Sequence, residues 1–193
     1  MSILGVLTVL GSPIFSILIG QLTKPEPGLI AGNMAFKALV NAKPMPSKTY
    51  GHGDPRLLTN GVHGADDFRL QWLGWEGVDF EFTIDLGTRH TMSTVDLNSL
   101  SEQRSWILHP DKVECFVSED DKGYLPWGSE TLDVMHRYEA HIHHFSFPNP
   151  KGPYEHGSYR YVLFRVKGSK KLPFWHSCAG SPSWTFLDEV LIR

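Results

Sequence analysis

Cysteine is scarce in this 193-residue chain: Cys115 and Cys178 are its only two, far apart and in no Cys-x-x-Cys pair. That excludes a disulfide framework or a zinc knuckle and leaves room for a single bridge. Cys115 lies in the alternating stretch KVECFVS (112–118), which suits a buried free thiol better than a bridge. Basic runs are missing as well. Eighteen Lys and Arg are spread along the chain against 21 Asp and Glu, for a net charge of -3. Phosphate backbones need clustered cations, so a nucleic-acid partner is excluded. There is no Gly-x-Ser-x-Gly elbow, no glycine-rich phosphate loop and no His-Glu-x-x-His motif. No long stretch repeats its apolar residues with a helical period, and no internal repeat occurs.

What is present is turn-forming residues and short alternating segments. A content of 41% hydrophobic and 20% charged residues is that of a globular chain, long enough for one domain plus extensions. Eighteen Gly and 13 Pro imply many turns. DFEFTID (79–85) places Phe80, Phe82 and Ile84 on one face. YRYVLFRVKG (159–168) sets Val162, Phe164 and Val166 against Tyr161, Leu163 and Arg165. HTMSTVDLNSL (90–100) reads as one more strand, with Met92, Thr94 and Asp96 opposite Ser93, Val95 and Leu97. WTFLDEVLIR closes the chain as the last strand. Period-two alternation between turns predicts an all-β sandwich.

The opening stretch MSILGVLTVLGSPIFSILIG (1–20) is apolar and uncharged. An export signal carries Lys or Arg near its start, and a membrane span needs about 20 unbroken apolar residues. Gly11-Ser12-Pro13 interrupts this one, so it reads as a degenerate signal or a misplaced start, without membrane insertion. With the Pro- and Gly-rich QLTKPEPGLIAG behind it, residues 1–32 form an N-terminal segment and linker, and 33–193 the domain.

Three groups of residues carry candidate chemistry. Asp66, Asp67 and Glu76 could serve as an acid/base pair, although solvated loop charges are the commoner use of such residues. In HRYEAHIHHF (136–145), His141 and His143 share a strand face at a spacing that can bind a metal, but no third ligand is nominated. The alternative is a half-exposed strand end. The turn TNGVHGADD (59–67) offers Asn60, Asp66 and Asp67 oxygens to a hard cation such as calcium, or a tight turn closed by Asx hydrogen bonds. Both readings stay open.

In order, GNMAFKALVNAKP, LLTNGVHGADDFRLQWLGWEGVDFEFTIDLG, SWILHPDKVECFVSEDDKGY, YRYVLFRVKG and WHSCAGSPSWTFLDEVLIR resemble the coagulation factor 5/8 type C, or discoidin-like, domain. SWILHP and the closing segment look like the version attached to bacterial β-N-acetylhexosaminidases. The resemblance implies a galactose-binding-like jelly roll that binds glycans or cell-surface carbohydrate without catalysis, as an accessory of a glycosidase catalytic domain. It implies export: an extracellular, periplasmic or cell-surface location. It also implies a structural calcium near the TNG turn. By position Asn60 and Glu189 would hold it, with carbonyls from Leu57 or Leu58, His63 and Asp188. Asn60 stands where relatives carry Asp, which removes a charge and weakens the site.

In such jelly rolls the loops at one end form the binding face. Trp175 and His176, the Arg104–Trp106 loop and the loop of Arg69 are placed there by resemblance, as indole faces and hydrogen-bond donors for sugar rings. Trp72 and Trp184, next to strand positions, are read as core plugs. The competing expectation is a structural or adhesion module whose Trp/His loop packs on another domain or protein.

Overall fold

The structure is a computed structural model, and it describes residues 30–65, 67–137, 139–152 and 157–193. The apolar segment expected at 1–20, most of the linker, and Asp66 lie outside the described residues. Ten strands succeed one another: β1 Leu39–Lys43, β2 Leu73–Glu76, β3 Phe80–Thr91, β4 Thr94–Ser101, β5 Ile107–Leu108, β6 Lys112–Ser118, β7 Leu125–Thr131, β8 His141–Pro148, β9 Ser158–Lys167 and β10 Trp184–Ile192. The only helical pieces among the described residues are short 3-10 turns at Gly51–Gly53, Pro55–Thr59 and Gln103–Ser105. One sheet has the order β1-β3-β9-β6-β7. The other has the order β2-β10-β4-β8, with β5 running parallel to the start of β10. This is the all-β sandwich that the alternation predicts.

The inward rows are those expected for β3 and β9. Phe82 lies opposite Phe164 in the register, and their rings stack at 4.9 Å. Trp75 stacks on Phe80 at 3.9 Å and donates its indole N–H to Pro44 O at 2.9 Å. HTMSTVDLNSL is not a single strand, however. The chain leaves the first sheet after Thr91 and enters the second at Thr94, so Met92 is buried as well as Val95 and Leu97. Both cysteines are free thiols, with Cys115 buried in the core.

Two features of the second sheet set its chemistry. The β4–β8 register gives four successive inward pairs: Val95 with Phe147, Leu97 with Phe145, Ser99 with His143, and Ser101 with His141. The core is therefore apolar along most of its length and polar at one end. In β10 the pairing with β4 slips between Leu187 and Val190, so that Asp188 and Glu189 together oppose Asn98. Two residues facing one is a β-bulge. On the outer face of this sheet, Trp72, Leu100, Ile107 and Phe186 form a second, smaller cluster, with Tyr50 and Phe68 packed against it.

Phe164 is fully buried between the sheets, and large-to-small changes of this kind cost about 3–5 kcal/mol. Phe164→Ala is expected to lower the unfolding free energy by that amount in urea titrations, with an unchanged denaturant slope. A loss below about 1 kcal/mol would mean that the two sheets do not close on this ring.

Candidate functional site

Three loops meet at the end of the sandwich where β10 begins: residues 102–106, 132–137 and 168–183. Gln103 joins them. It is almost fully buried, and its Nε2 donates to Met135 O at 2.5 Å while its Oε1 accepts from Arg137 N at 3.0 Å. Its own carbonyl lies 3.0 Å from His176 Nε2. His176 Nδ1 accepts from Cys178 N at 3.0 Å, which leaves the ring proton on Nε2 for Gln103 O. His176 thus holds its loop in place and has no ring nitrogen to spare for a ligand.

Around this pin the aromatic residues divide. The Trp175 ring lies 4.4 Å from that of His136 and is half-buried. Phe174, its neighbour, is 92% exposed. Trp106, at φ 66, is 36% exposed and accepts Trp184 N–H on its carbonyl at 2.8 Å. Arg104 is exposed beside it. Trp72 is buried with its indole N–H on Ala65 O, and Trp184 packs edge-on against Tyr50, so both are plugs as expected. Arg104 and Trp106 share the loop whose Gln103 carbonyl receives His176, and Trp175 is the residue before His176. Arg69 is exposed and clasped to Asp67 of its own turn at 2.8 and 2.9 Å. Sequence reasoning misses Phe174, Gln103 and His136. Phe174 is legible as one more aromatic beside Trp175, but an isolated Gln gives no signal.

The expected cation residues also separate. Asp188 Oδ2 accepts from Gly64 N at 2.8 Å and Asn98 Nδ2 at 3.4 Å, with His63 Nδ1 3.5 Å away. Glu189 Oε1 accepts from Asn33 Nδ2 at 2.8 Å, and the nearby N–H groups of Gly61 and Val62 favour its charged form. Asp188 Oδ1 and Glu189 Oε2 are buried with no partner. Burial drives both carboxyls upward, Glu189 to about 8. Buried carboxylates call for protons or a cation, and two orphaned oxygens on adjacent residues fit a cation. Asn60 does not point its oxygen there. Its Oδ1 accepts from Val62 N and its amide donates to Gln71, so the turn is closed by an Asx bond. Asp67 is spent on Arg69. Among the described residues no three His, Cys, Asp or Glu converge as a metal site. Calcium, which takes six to eight oxygens, would have to complete its shell from carbonyls and water.

The polar end of the core contains a small histidine network. His109, just after β5, joins His141 and His143. Its Nδ1 is 2.6 Å from Ser99 Oγ and its Nε2 is 3.0 Å from His141 Nδ1. His143 turns instead to Glu130 at 2.9 Å. The nitrogens of His109 are thus hydrogen-bonded and not free for a metal, so the third imidazole does not complete one. A cavity of about 180 Å³ opens beside these rings.

No family model matches the chain, and no curated protein sequence matches it. Solved structures do. The Clostridium perfringens module CpGH89CBM32-4, in complex with GlcNAc-α-1,4-galactose, has a TM-score of 0.51 at 12% identity, over 83% of this chain and 93% of its own. CpGH89CBM32-5 from the same organism, in complex with GalNAc-β-1,3-galactose, gives 0.51 at 12% identity, over 81% and 94%. This chain has the galactose-binding-like jelly-roll fold. The same fold accounts for part of a larger chain in SpGH29, where the TM-score is 0.51 at 14% identity over 83% of this chain and 27% of that one.

Two measurements check this geometry. Gln103→Ala removes both side-chain bonds to the 132–137 loop and is expected to cost about 1–3 kcal/mol, with faster amide exchange at Met135–Arg137. Unchanged exchange there would mean that Gln103 is not the pin. His109 is pressed down from 6.5 to about 3, by burial first and then by the charges of His141, His143 and Arg137. Between those values the unfolded chain binds the extra proton, so the stability tied to His109 is complete above about pH 6.5 and is lost as pH falls toward 3. Urea midpoints from about pH 7 to 4 should therefore fall more steeply than in His109→Gln; parallel curves would show that His109 is not buried neutral.

Proposed function

We propose that the chain is a non-catalytic glycan-binding module whose binding face is the loop end built around Gln103. The observation that carries this reading is Phe174, 92% exposed beside Trp175, with Trp106 and Arg104 on the neighbouring loop. A folded domain gains nothing from a bare phenyl ring on a clamped loop, whereas pyranose C–H faces stack on such rings and guanidinium groups donate to hydroxyls. Trp175 contributes its free edge and His176 positions the loop. The two Clostridium perfringens neighbours, solved with disaccharides, support the reading by fold. The same likeness supports placing it in an exported or surface-attached, glycosidase-associated protein. Among the described residues no helix is long and apolar enough to cross a membrane.

Titration against a panel of galactose- and N-acetylhexosamine-terminated oligosaccharides tests this. Phe174→Ala and Trp106→Ala should each weaken binding several-fold, since stacking contributes about 0.5–1.5 kcal/mol, while the melting temperature barely moves. Trp175→Ala should weaken binding and also lower the melting temperature, because its ring packs on His136. Unaltered affinity in all three variants, or no binding to any member of the panel, would leave the loop end as a surface for packing on another domain.

A calcium ion held by Asp188 and Glu189 belongs to the same proposal, as a fastening for the 60–64 segment. Ligands that bind only the folded chain stabilise it by mass action. Millimolar calcium should raise the melting temperature of the parent chain, chelator should reverse the rise, and Glu189→Gln should abolish it. Equal melting temperatures with calcium and with chelator would remove calcium from the account.

A further inference from the structure

The cavity at the polar end of the core does not belong to the aromatic face. It opens between the ends of β4 and β8, beneath the 132–137 loop, and its volume of about 180 Å³ slightly exceeds the roughly 150 Å³ that accommodates one benzene ring. A pyranose is larger than benzene, so it would seat one edge of its ring in the chamber with the remainder at the open mouth. Leu108, Pro110, Val134 and Met135 give it apolar walls. Its charged groups are few. Arg137 lines it and makes no ion pair among the described residues, with Asp133 on the exposed rim also unpaired. The nearby carboxylate of Glu130 is held by His143.

The hydrogen-bonded row Ser99–His109–His141 ends at His141, whose Nδ1 faces His109 and whose Nε2 is left for an occupant. Because the hydroxyl of Ser99 can donate or accept, the two imidazoles can shift tautomer together. His141 Nε2 then presents an N–H or a lone pair as the occupant requires. An anion would fix the N–H form, leaving a directed donor and a guanidinium in one small apolar chamber. A single guanidinium matches a single negative charge and grips a carboxylate through two parallel bonds.

We propose that this cavity is a subsite for one carboxylated sugar residue, a hexuronate, with its carboxylate on Arg137 and His141 and its ring carbons against Leu108 and Val134. The inference rests on the glycan-binding reading but uses different residues. It makes the module selective for acidic glycans, with the Phe174–Trp106 face contacting the next residue along.

The probes are glucuronate and galacturonate, the neutral sugars glucose and galactose, and acetate as a carboxylate without a ring. Binding is followed by titration and by the ring resonances of His109 and His141 in isotope-edited spectra. The expected result is tighter binding of a uronate than of its neutral counterpart or of acetate, by about tenfold or more as one charge-assisted bidentate pair would give, with both histidine rings perturbed. Arg137→Gln, an exposed position, should remove that preference without changing the melting temperature. Uronates that bind no better than neutral sugars, or that bind without touching the two histidine rings, overturn the proposal. So does acetate binding as tightly as a uronate. If the neutral oligosaccharide panel binds but uronates do not, the subsite falls while the aromatic face stands. If uronates bind through Arg137 and the panel does not, the subsite stands and the aromatic face falls.

Discussion

The bulge in β10 buries two carboxyl groups side by side, and a large part of the surrounding chain is arranged to meet them. Asp188 and Glu189 lie opposite a single residue of β4, Asn98, because the register slips there. N–H groups come to them from Asn33, Gly61, Val62, Gly64 and Asn98. Most of these donors fix a segment that has no strand partner of its own. Asn33 also bonds Val190 O and accepts from Ala35 N and Ile192 N, so the start of the domain is sewn along its last strand. The 60–64 segment is drawn across the outer face of the sheet, and the next residue, Ala65, receives the indole N–H of Trp72. The smaller aromatic cluster is closed by that bond. Losing a donor from such a set leaves a buried carboxyl oxygen unsatisfied, which costs more than the bond itself contributes.

The end of the second sheet nearest the loops solves a related problem without charge. Inward pairs that begin as Val95–Phe147 end as Ser101–His141, so the gap between the sheets becomes polar before it reaches the loops. His109 stays neutral there because burial and the positive charges of its neighbours both oppose protonation. Neutral imidazoles can pass a hydrogen bond along a row without needing a counterion. Gln103 then carries the order outward: it is buried at the edge of this region and spends its amide on the 132–137 loop and its carbonyl on His176. The exposed rings of Phe174 and Trp106 sit on backbone that this single side chain and its neighbours hold still.

Much of the fold was legible because the strands alternate cleanly. Phe80, Phe82 and Ile84, and Val162, Phe164 and Val166, face inward as their spacing predicts. The break at Met92–Ser93 was not legible, since Met92 keeps the apolar alternation while the chain changes sheets. At the site, the residue types were readable and their directions were not. Asn60 lies in the expected turn, yet its oxygen closes an Asx bond to Val62 rather than facing Glu189. His176 lies in the expected loop, yet both ring nitrogens are used within the fold. The third histidine of the polar end stands 32 residues before its partner His141. No local pattern could have paired them, because the sheet pairing of β4 with β8 and the parallel seat of β5 on β10 create that neighbourhood.

Where the perturbed groups lie also bears on what the domain does. Enzymes place shifted acids and bases in a cleft where substrate can touch them. Here the carboxyl groups of Asp188 and Glu189, both raised by burial, are sealed beneath the 60–64 segment, almost without exposure. Along β10 they are separated from the loop end by the stretch from Trp184 onward, and they lie beside the amino-terminal Asn33 rather than the aromatic rings. Exposed carboxylates elsewhere are mostly held by arginine or lysine, as Asp67, Asp85 and Asp79 are. The arginine bonds of Asp67 and Asp85 lower the acid's affinity for protons, the reverse of what a proton donor at neutral pH requires. The chemistry offered at the loop end is instead that of rings, a guanidinium and imidazoles. On the proposed glycan-binding reading, such groups would recognise a ligand by shape, stacking and hydrogen bonds, and ask of the fold only that it hold them in place.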